Sequence, residues 1–322
     1  MKRLCNMIAS AVLILFLMPV SAHAARFLIP GGQIVGLQLR SGSVTVAAFD
    51  DVLGANARES GLKIGDDILS VDGTAVTCVE DIRRALNQAG ETVTLSVRRA
   101  GREKVLELEP CKTEEGPRLG IHLKQGINGI GTVTWYDPGK GTFGTLGHGV
   151  SGPKGELLQM TGGNAYDARV VAVKKGASGE PGLLKGSADA MGICGDLIRN
   201  TPQGVFGISK TGWRGEPLPT AEFEEIRTGS AVIRSTVDSG GVQEYSVEIL
   251  KIYPRDRQDG RNFLIHVTDP DLLSKTGGIV QGMSGSPILQ DGKLVGAVTH
   301  VLVNDPTRGY GIFIENMLDA AG

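Results

Sequence analysis

Short runs of alternating apolar and polar residues, separated by glycine-containing turns, recur along most of this 322-residue sequence. The chain contains 47 glycines but only 5% aromatic residues. The glycines have no Gly-X-Y period, so a collagen-like triple helix is excluded. Because glycine suits the tight turns between short strands, this composition favours a mainly β fold. At roughly 150 residues per domain, the length predicts about two domains.

The charge composition excludes several classes of partner. Lys and Arg together number 33, Asp and Glu number 35, and the formal net charge is −2. This balance offers no basic surface to nucleic acid and no polybasic attraction to anionic lipid. The sequence also has no phosphate-binding loop and no cluster with metal-ligand spacing. We therefore expect no cofactor, no bound metal and no nucleic-acid partner.

Residues 1–24 have the pattern of a signal peptide. Lys2 and Arg3 precede an apolar run from Met7 to Val20, and Ala22 and Ala24 occupy the positions that a signal peptidase reads. The run is shorter than the ~20 residues of a membrane-spanning helix, which favours cleavage over a retained anchor. We expect export across the cytoplasmic membrane, to a secreted, periplasmic or intermembrane-space location, with tethering before cleavage as an alternative.

Three cysteines remain after the predicted signal. Cys78 and Cys111 fall in one predicted domain, and Cys194 lies far from both along the chain. An exported chain can form disulfides. We hypothesise that Cys78 and Cys111 pair.

Residues 28–112 alternate predicted strands with hairpin turns around one helix, which the apolar spacing predicts from Val79 to Asn87. The segment from Gly61 to Gly73, GLKIGDDILSVDG, resembles the PDZ modules of bacterial proteases. By this resemblance, the glycine-rich segment from Pro30 to Leu37 would bind a peptide carboxylate through successive backbone N–H groups. The alternative is that its glycines only form turns. The predicted peptide-binding positions are Gly32, Ile34, Val35, Gly36 and Leu37.

The rest of the chain predicts a second, larger domain. Residues 113–118 are polar and contain a Gly-Pro pair, which predicts a linker. Residues 119–322 contain about a dozen short predicted strands with glycine-rich turns and few helical patterns. So many strands over ~200 residues favour two packed barrels over a parallel α/β sheet.

Two clusters in this second domain could carry nucleophilic chemistry. The segment from Gly282 to Gly285 places Ser284 between glycines, in a turn that can expose a hydroxyl and direct backbone N–H groups at an oxyanion. The segment from Gly147 to Gly149 places His148 between glycines, and histidine is the usual base for serine at neutral pH. Each cluster alone could equally be an ordinary loop.

Residues 269–301 resemble the catalytic signature of the stage IV sporulation protein B (SpoIVB) peptidase family. The matching segments are Thr276 to Pro287 and Gly296 to Val301, and the segment from Gly144 to Gly149 matches the histidine motif of that family. The order of signal, PDZ domain and peptidase domain is also similar. The resemblance implies a small PDZ domain followed by a chymotrypsin-like double β-barrel, acting as a serine endopeptidase.

The resemblance also implies a His-Asp-Ser triad. His148 would be the general base and Ser284 the nucleophile, and the N–H groups of Gly282 and Ser284 would form the oxyanion hole.

The triad acid has several candidates. The family pattern points to Asp269, although an Asp-Pro pair is also a common start of a turn. Asp271 and Asp196 are alternatives, and the position of the acid in digestive enzymes of this fold would favour Asp189 or Asp196.

The resemblance also implies where substrate would bind. Gly278 would lie near the base of the substrate pocket, where an acidic residue would select Arg or Lys, so we predict cleavage that is not trypsin-like. The segment Thr299, His300 and Val301 would be the edge strand that receives the substrate.

The family resemblance implies limited, regulated proteolysis of a protein or peptide substrate. It further implies self-cleavage, with the chain as its own substrate, and signalling to a membrane-embedded protease complex during sporulation. The PDZ domain would bind peptide tails or control activity. The alternative function is a catalytically inactive, secreted PDZ scaffold, in which Ser284 and His148 are only turn residues.

Overall fold

The computed structural model describes residues 26–152, 155–257 and 259–322. The predicted signal peptide therefore lies outside the described residues. Among the helices within these ranges, none has both the length and the apolar character that crossing a bilayer requires.

The described residues form a mainly β structure. In chain order the strands are β1 (Phe27–Pro30), β2 (Ile34–Ser41), β3 (Val44–Phe49), β4 (Asp67–Val71), β5 (Thr74–Ala75), β6 (Val93–Arg99), β7 (Arg102–Leu108), β8 (Cys111–Thr113), β9 (Gly116–Arg118), β10 (Ile121–Lys124), β11 (Ile127–Asp137), β12 (Thr142–Thr145), β13 (Met160–Lys174), β14 (Leu183–Thr201), β15 (Gly204–Ser209), β16 (Leu218–Pro219), β17 (Gly229–Ser235), β18 (Gln243–Ile252), β19 (Phe263–Val267), β20 (Pro287–Gln290), β21 (Lys293–Leu302) and β22 (Asp305–Phe313). The α-helices are α1 (Ala55–Glu59), α2 (Val79–Gln88), α3 (Pro270–Thr276) and α4 (Ile314–Ala321), and a 3₁₀ helix spans Phe223–Glu225.

The first barrel is a closed ring of antiparallel strands. The ring runs β2, β11, β12, β15, β14, β13 and back to β2. β1 extends the sheet beyond β11, and β16 pairs with β1. Buried apolar side chains, among them Leu37, Val133, Phe143 and Leu197, form its core. Alternation of apolar residues along each strand directs them into the barrel.

The second barrel closes in the order β17, β18, β19, β22, β21, β20. Its core includes Ile233, Val247 and Ile288, together with Phe263 and Phe313, whose rings meet edge to face at 4.5 Å between centroids. The mainly β, double-barrel fold expected from the sequence is confirmed.

A small domain is inserted into the first barrel. Its sheet has the order β10-β3-β4-β6-β7, and α2 packs on this sheet through Ile82 and Leu86. The inserted domain spans residues 44–124, between β2 and β11. These two strands pair directly with each other, with Leu39 opposite Ile127, so the insertion occupies the end of a barrel hairpin.

The predicted domain boundaries are corrected by this insertion. Residues 27–41 form β1 and β2 of the first barrel, so the small domain does not begin at residue 28. Residues 113–118 are not a linker, because β8 and β9 form a hairpin there and β9 contacts α2. The double-barrel fold thus contains residues that precede the small domain and residues that follow it.

The predicted carboxylate-binding segment is wrong for the same reason. Gly32, Ile34, Val35, Gly36 and Leu37 lie in or next to β2, and β2 is paired along both edges, with β11 and with β13. A strand without a free edge cannot accept a peptide as an added strand. Ile34, Val35 and Leu37 are buried in the barrel cores. A Cβ at Gly36 would lie 2.6 Å from the Cβ of Ala188, so this glycine permits close packing between strands.

Local predictions in the inserted domain are mostly confirmed. The helix predicted from Val79 to Asn87 is α2, and the turn residues Asp72 and Ala100 have the positive φ values of tight hairpins, +48° and +50°. The disulfide hypothesis is wrong for this structure, because Cys78 and Cys111 are both free thiols. Cys78 occupies the N-cap position of α2, and the Cys111 thiol donates to the Leu53 carbonyl oxygen at 3.2 Å.

Candidate active site

Ser284 lies in the loop that leads into β20 of the second barrel. Gly282 and Gly285 flank it with φ values of +100° and +96°, a region that other residues rarely adopt. A Cβ at Gly285 would lie 2.1 Å from the carbonyl oxygen of Thr132 on β11. Glycine is therefore required here because the first barrel approaches the loop so closely.

His148 follows β12 at the rim of the first barrel. Gly147, with φ of +70°, packs against the second barrel, and a Cβ there would lie 2.8 Å from Cγ2 of Thr299. The Asn200 side chain fixes the next part of this loop. It accepts from the N–H of Val150 and donates to its carbonyl oxygen, both at 2.9 Å. His148 and Ser284 thus come from different barrels, and both lie next to residues of β21.

The hydroxyl of Ser284 donates to the carbonyl oxygen of Thr299 at 2.8 Å. Within the described part of the chain, no hydrogen bond joins Ser284 to His148. The Ser284 hydroxyl is therefore held by the backbone of β21 in this conformation, and its proton is not directed at the histidine.

His148 lies beside a second histidine. The ring centroids of His148 and His300 are 5.2 Å apart, with an angle of 37° between the planes. Nδ1 of His148 is 2.9 Å from the carbonyl oxygen of Gly149. Because a carbonyl oxygen only accepts, Nδ1 carries the proton and Nε2 is left able to accept one.

Burial keeps both imidazoles neutral. It lowers the pKa of His148 from the usual 6.5, and the hydrogen bond to Gly149 opposes this only in part. Burial, and then the neighbouring His148, lower the pKa of His300 to about 4. Nδ1 of His300 is buried and has no hydrogen-bond partner among the described residues. A neutral His148 is the form that can act as a base.

Asp269 has a local structural role. Its Oδ1 accepts from the N–H groups of Asp271 and Leu272, both at 3.0 Å, and caps the start of α3. Its Oδ2 accepts from the N–H of Ser246 at 3.2 Å. Among the described residues, no hydrogen bond joins Asp269 to His148. The structure therefore does not match the prediction that Asp269 orients the base, and the sequence signal for its actual role was Asp followed by Pro, a frequent helix start.

The alternative acids are also engaged elsewhere. Asp271 pairs with Lys275 at 2.8 Å and Asp196 pairs with Lys210 at 2.8 Å. Oδ1 of Asp189 accepts from the N–H of Met191 at 3.0 Å. In the described ranges, the polar partner of His148 is the Gly149 carbonyl oxygen, which occupies the place where a triad acid would bond.

Two backbone N–H groups beside the nucleophile have no acceptor. Within the described part of the chain, neither Gly282 nor Ser284 donates its backbone N–H to another group. These are the two donors predicted for an oxyanion hole, and such donors must be free to bind the developing negative charge.

The predicted substrate-binding residues lie around this loop. Gly278 packs against the start of β22, where a Cβ would lie 2.1 Å from the Pro306 carbonyl oxygen. Thr299, His300 and Val301 are in β21 and run alongside β22. On the side towards Ser284, no described strand pairs with these three residues, so that edge could accept an extended peptide.

The inserted domain contains a groove that the sequence interpretation missed. It lies between α2 and β10, has a volume of about 490 Å³, and its apolar lining includes Val79, Ile82, Leu86, Leu119 and Ile121. β10 is an edge strand, paired only with β3 among the described strands. The available signal was the segment Leu119-Gly120-Ile121, which has the same apolar-glycine-apolar pattern as the segment chosen from β2.

The described residues include no group of three or more His, Cys, Asp and Glu side chains that could hold a metal ion. Around Ser284, the combination of a serine, a neutral histidine and two N–H donors without an acceptor among the described residues has the chemistry needed for acyl transfer.

The family models match two parts of the chain. The model described as SpoIVB peptidase S55 matches residues 115–318, and the model described as PDZ domain matches residues 35–109.

The curated relatives match a smaller part. The chain is 31% identical over 148 residues to a protein of Agrobacterium fabrum named as a zinc metalloprotease, covering 42% of this chain and 38% of that protein. It is 30% identical over 118 residues to a similarly named protein of Rhizobium meliloti, covering 36% and 29%. The chain thus spans less than two fifths of the length of these relatives. No histidine of this sequence precedes a glutamate, so the zinc-binding pattern H-E-x-x-H is absent.

Two solved structures match parts of the chain. The PDZ domain of an SdrC-like protein from Listeria monocytogenes has 22% identity and a TM-score of 0.23, covering 26% of this chain and 87% of that chain. The Rv3671c protease of Mycobacterium tuberculosis, in an inactive form, has 15% identity and a TM-score of 0.36, covering 60% and 84%. Since the peptidase model matches more than half of the sequence, this chain belongs to the SpoIVB peptidase S55 family and carries a PDZ domain.

Proposed function

We propose that the chain is an exported serine endopeptidase in which Ser284 is the nucleophile and His148 the general base. The observation that carries this proposal is the meeting of two glycine-flanked loops at β21, one from each barrel, beside two N–H groups that have no acceptor among the described residues. Family membership supports serine protease chemistry. The signal-like pattern of residues 1–24 supports export.

The first step releases Ser284 from Thr299. Rotation of the serine side chain breaks its bond to the Thr299 carbonyl oxygen and brings the hydroxyl to Nε2 of His148. His148 takes the proton as the serine oxygen attacks the peptide carbonyl carbon. The carbonyl oxygen becomes an oxyanion, which the N–H groups of Gly282 and Ser284 stabilise.

His148 then returns the proton to the leaving amine, and the acyl-enzyme forms. Water attacks the acyl-enzyme by the same route and releases the second product, restoring Ser284. Throughout, the Gly149 carbonyl oxygen accepts from the protonated Nδ1 and stabilises the transient imidazolium. A neutral carbonyl oxygen is a weaker partner than a carboxylate, so we expect slow turnover compared with a complete triad.

The inserted domain supports regulated, limited proteolysis. Its groove has a free strand edge and can bind a peptide tail from a substrate, a regulator or a second copy of the chain. On the basis of family membership, the proposal also includes two further activities. These are self-cleavage and signalling to a membrane-embedded protease complex, as in sporulation.

The test compares the full chain with Ser284→Ala, His148→Ala and the control Ser286→Ala, whose serine lies in the same loop and donates to Ser235. Each protein is incubated alone and with casein, and the products are followed by mass spectrometry. We expect self-cleavage and casein cleavage in the wild type and in Ser286→Ala, and neither in the other two. Equal behaviour of all four proteins would leave the peptide-binding scaffold as the function.

A further inference from the structure

Two threonines of β11 hold the nucleophile loop of the other barrel. Thr132 and Thr134 are alternate residues of the strand, so they lie on one face, and they are 1% and 0% exposed. The Thr132 hydroxyl donates to the Gly282 carbonyl oxygen and the Thr134 hydroxyl to that of Gly285, both at 2.8 Å. The backbone N–H of Thr132 donates to the Ser284 carbonyl oxygen at 3.0 Å. Three bonds from one strand therefore hold the loop on both sides of the nucleophile.

The other hydrogen bonds of the loop single out two donors. The backbone N–H groups of Met283, Gly285 and Ser286 each donate to a carbonyl oxygen. Within the described part of the chain, only those of Gly282 and Ser284 in this loop are left without an acceptor. These hydrogen bonds thus favour a loop conformation in which the two N–H groups left free are the two that an oxyanion needs.

Thr132 holds the peptide plane that connects the two free donors, and Leu184 holds the plane before it. On one side, the N–H of Leu184 donates to the Gln281 carbonyl oxygen at 2.9 Å and fixes the plane that contains the Gly282 N–H. On the other side, the Thr132 hydroxyl fixes the plane that contains the Gly282 carbonyl. Glycine alone would not hold φ at +100°, because it adopts both signs of φ with similar ease.

We infer that Thr132 is a positioning residue for the oxyanion hole and that Thr134 anchors the far end of the same loop. The inference rests on the proposed function, since an oxyanion hole has a role only if the chain catalyses acyl transfer. Without the Thr132 hydroxyl, the peptide plane between Gly282 and Met283 is held only by the Met283 N–H, which donates to the Val280 carbonyl oxygen at 3.1 Å. This plane lies between the two free donors, so its rotation lets the N–H groups of Gly282 and Ser284 turn away from a common point. Ser284 and His148 remain in place, so the defect lies in the chemical step and not in folding or binding.

The test measures the reaction of the full chain with a fluorophosphonate at several probe concentrations, which separates the binding constant from the rate of bond formation. In this reaction the Ser284 oxygen bonds to phosphorus, fluoride leaves and His148 takes the proton. The variants are Thr132→Val, which removes the hydroxyl at nearly constant volume, Thr134→Val, and Thr132→Ser, which restores the hydroxyl. Thr236→Val is the matched control, because the buried Thr236 hydroxyl also bridges the barrels, donating to the Gly32 carbonyl oxygen at 2.9 Å.

For Thr132→Val we expect the rate of bond formation to fall about 10- to 100-fold, approaching the loss caused by removal of a whole oxyanion donor. The probe-binding constant should stay within about twofold, and Thr132→Ser should recover most of the rate. Thr134→Val should show a smaller fall, and Thr236→Val should lose stability but keep its rate. If Thr132→Val does not fold, Thr132→Cys, with a weaker donor of similar size, replaces it.

A folded Thr132→Val variant that reacts as fast as the wild type would overturn the inference and leave the proposed function intact. A rate that falls equally in Thr236→Val would also overturn it, because a general effect of loosening the barrels would then explain the loss. A wild-type chain that does not react at all would contradict the proposed function itself, and the inference with it.

Discussion

Ser284 and Thr299 are joined by a hydrogen bond in which the serine hydroxyl donates to the threonine carbonyl oxygen at 2.8 Å. This bond couples the nucleophile to β21, the strand whose open edge we expect to receive substrate. Transfer of the serine proton to His148 requires that the bond break first. In this conformation the candidate catalytic residues lie beside β21, but no hydrogen bond among the described residues leads from the Ser284 hydroxyl to His148.

The pH dependence of the reaction should report the burial of His148. Because burial lowers the pKa of His148 below 6.5, the neutral base persists in mildly acidic solution. We expect the rate of fluorophosphonate labelling to be lost on acidification with an apparent pKa below 6.5. A midpoint at or above 6.5 would show that His148 is not the buried base described here. Stability is checked at each pH, so that unfolding is not mistaken for titration.

Stability should depend on pH through His300. The pKa of His300 is about 4 in the folded chain, compared with the ordinary value of 6.5 expected in the unfolded chain. At a pH between these two values, the unfolded state therefore binds more protons than the folded state. The contribution of His300 to the free energy of unfolding should therefore be complete above pH 6.5 and should decrease as the pH drops towards about 4. In His300→Gln this fall should be smaller, as measured by urea unfolding at pH 7.5 and pH 5. An identical fall in the variant would contradict the assignment.

Asp269 should tolerate replacement by an equally good helix cap. We expect Asp269→Asn to keep the helix cap and the labelling rate, because asparagine caps helices as well as aspartate does, and to lose only the acceptor for the N–H of Ser246. Asp269→Ala should lose about 1 kcal/mol of unfolding free energy. A triad acid would behave differently, since its replacement by asparagine typically lowers the rate by about 10⁴-fold. Such a loss in folded Asp269→Asn would show that Asp269 reaches His148 during catalysis.

The groove of the inserted domain should depend on Arg83. Arg83 lines the groove, whereas Arg84, its exposed neighbour on α2, pairs with Asp81 at 3.2 Å. For peptides with a free carboxylate, selected from a random library, Arg83→Glu should weaken binding about 2- to 5-fold, in the range of an exposed charge pair.

Arg84→Glu is the matched control, because it makes the same change of charge outside the groove lining. Equal weakening by both variants would mean that the peptide responds only to net charge. Amidated forms of the same peptides should bind more weakly than the peptides with a free carboxylate. Undiminished binding of the amidated forms would show that the groove does not bind a terminal carboxylate.

Local elements of the fold could be predicted from the sequence, and the insertion could not. The turn at Asp72 and the helix α2 depend on neighbouring residues, whose spacing is visible in the chain. The place of β2 depends on its pairing with β11, which puts Leu39 opposite Ile127 across the whole inserted domain. The alternation of β2 fits a strand of either domain, so only the long-range pairing decides between them.

In the candidate site, too, local features could be predicted from the sequence and long-range contacts could not. Ser284 and His148 could be proposed because each stands between glycines, a local feature. The helix cap at Asp269 was also visible in the Asp-Pro pair but competed with the family pattern. The contact from Thr132 to the nucleophile loop joins residues 150 positions apart, and it exists only because the two barrels pack together.

The most direct test of the central claim is to map the site of fluorophosphonate labelling on the full chain by mass spectrometry of its proteolytic fragments. We predict one adduct, on Ser284, that is absent from Ser284→Ala, greatly reduced in His148→Ala and retained in Ser286→Ala. The claim would be contradicted by a folded wild-type chain that takes up no label, or by labelling that persists unchanged in Ser284→Ala.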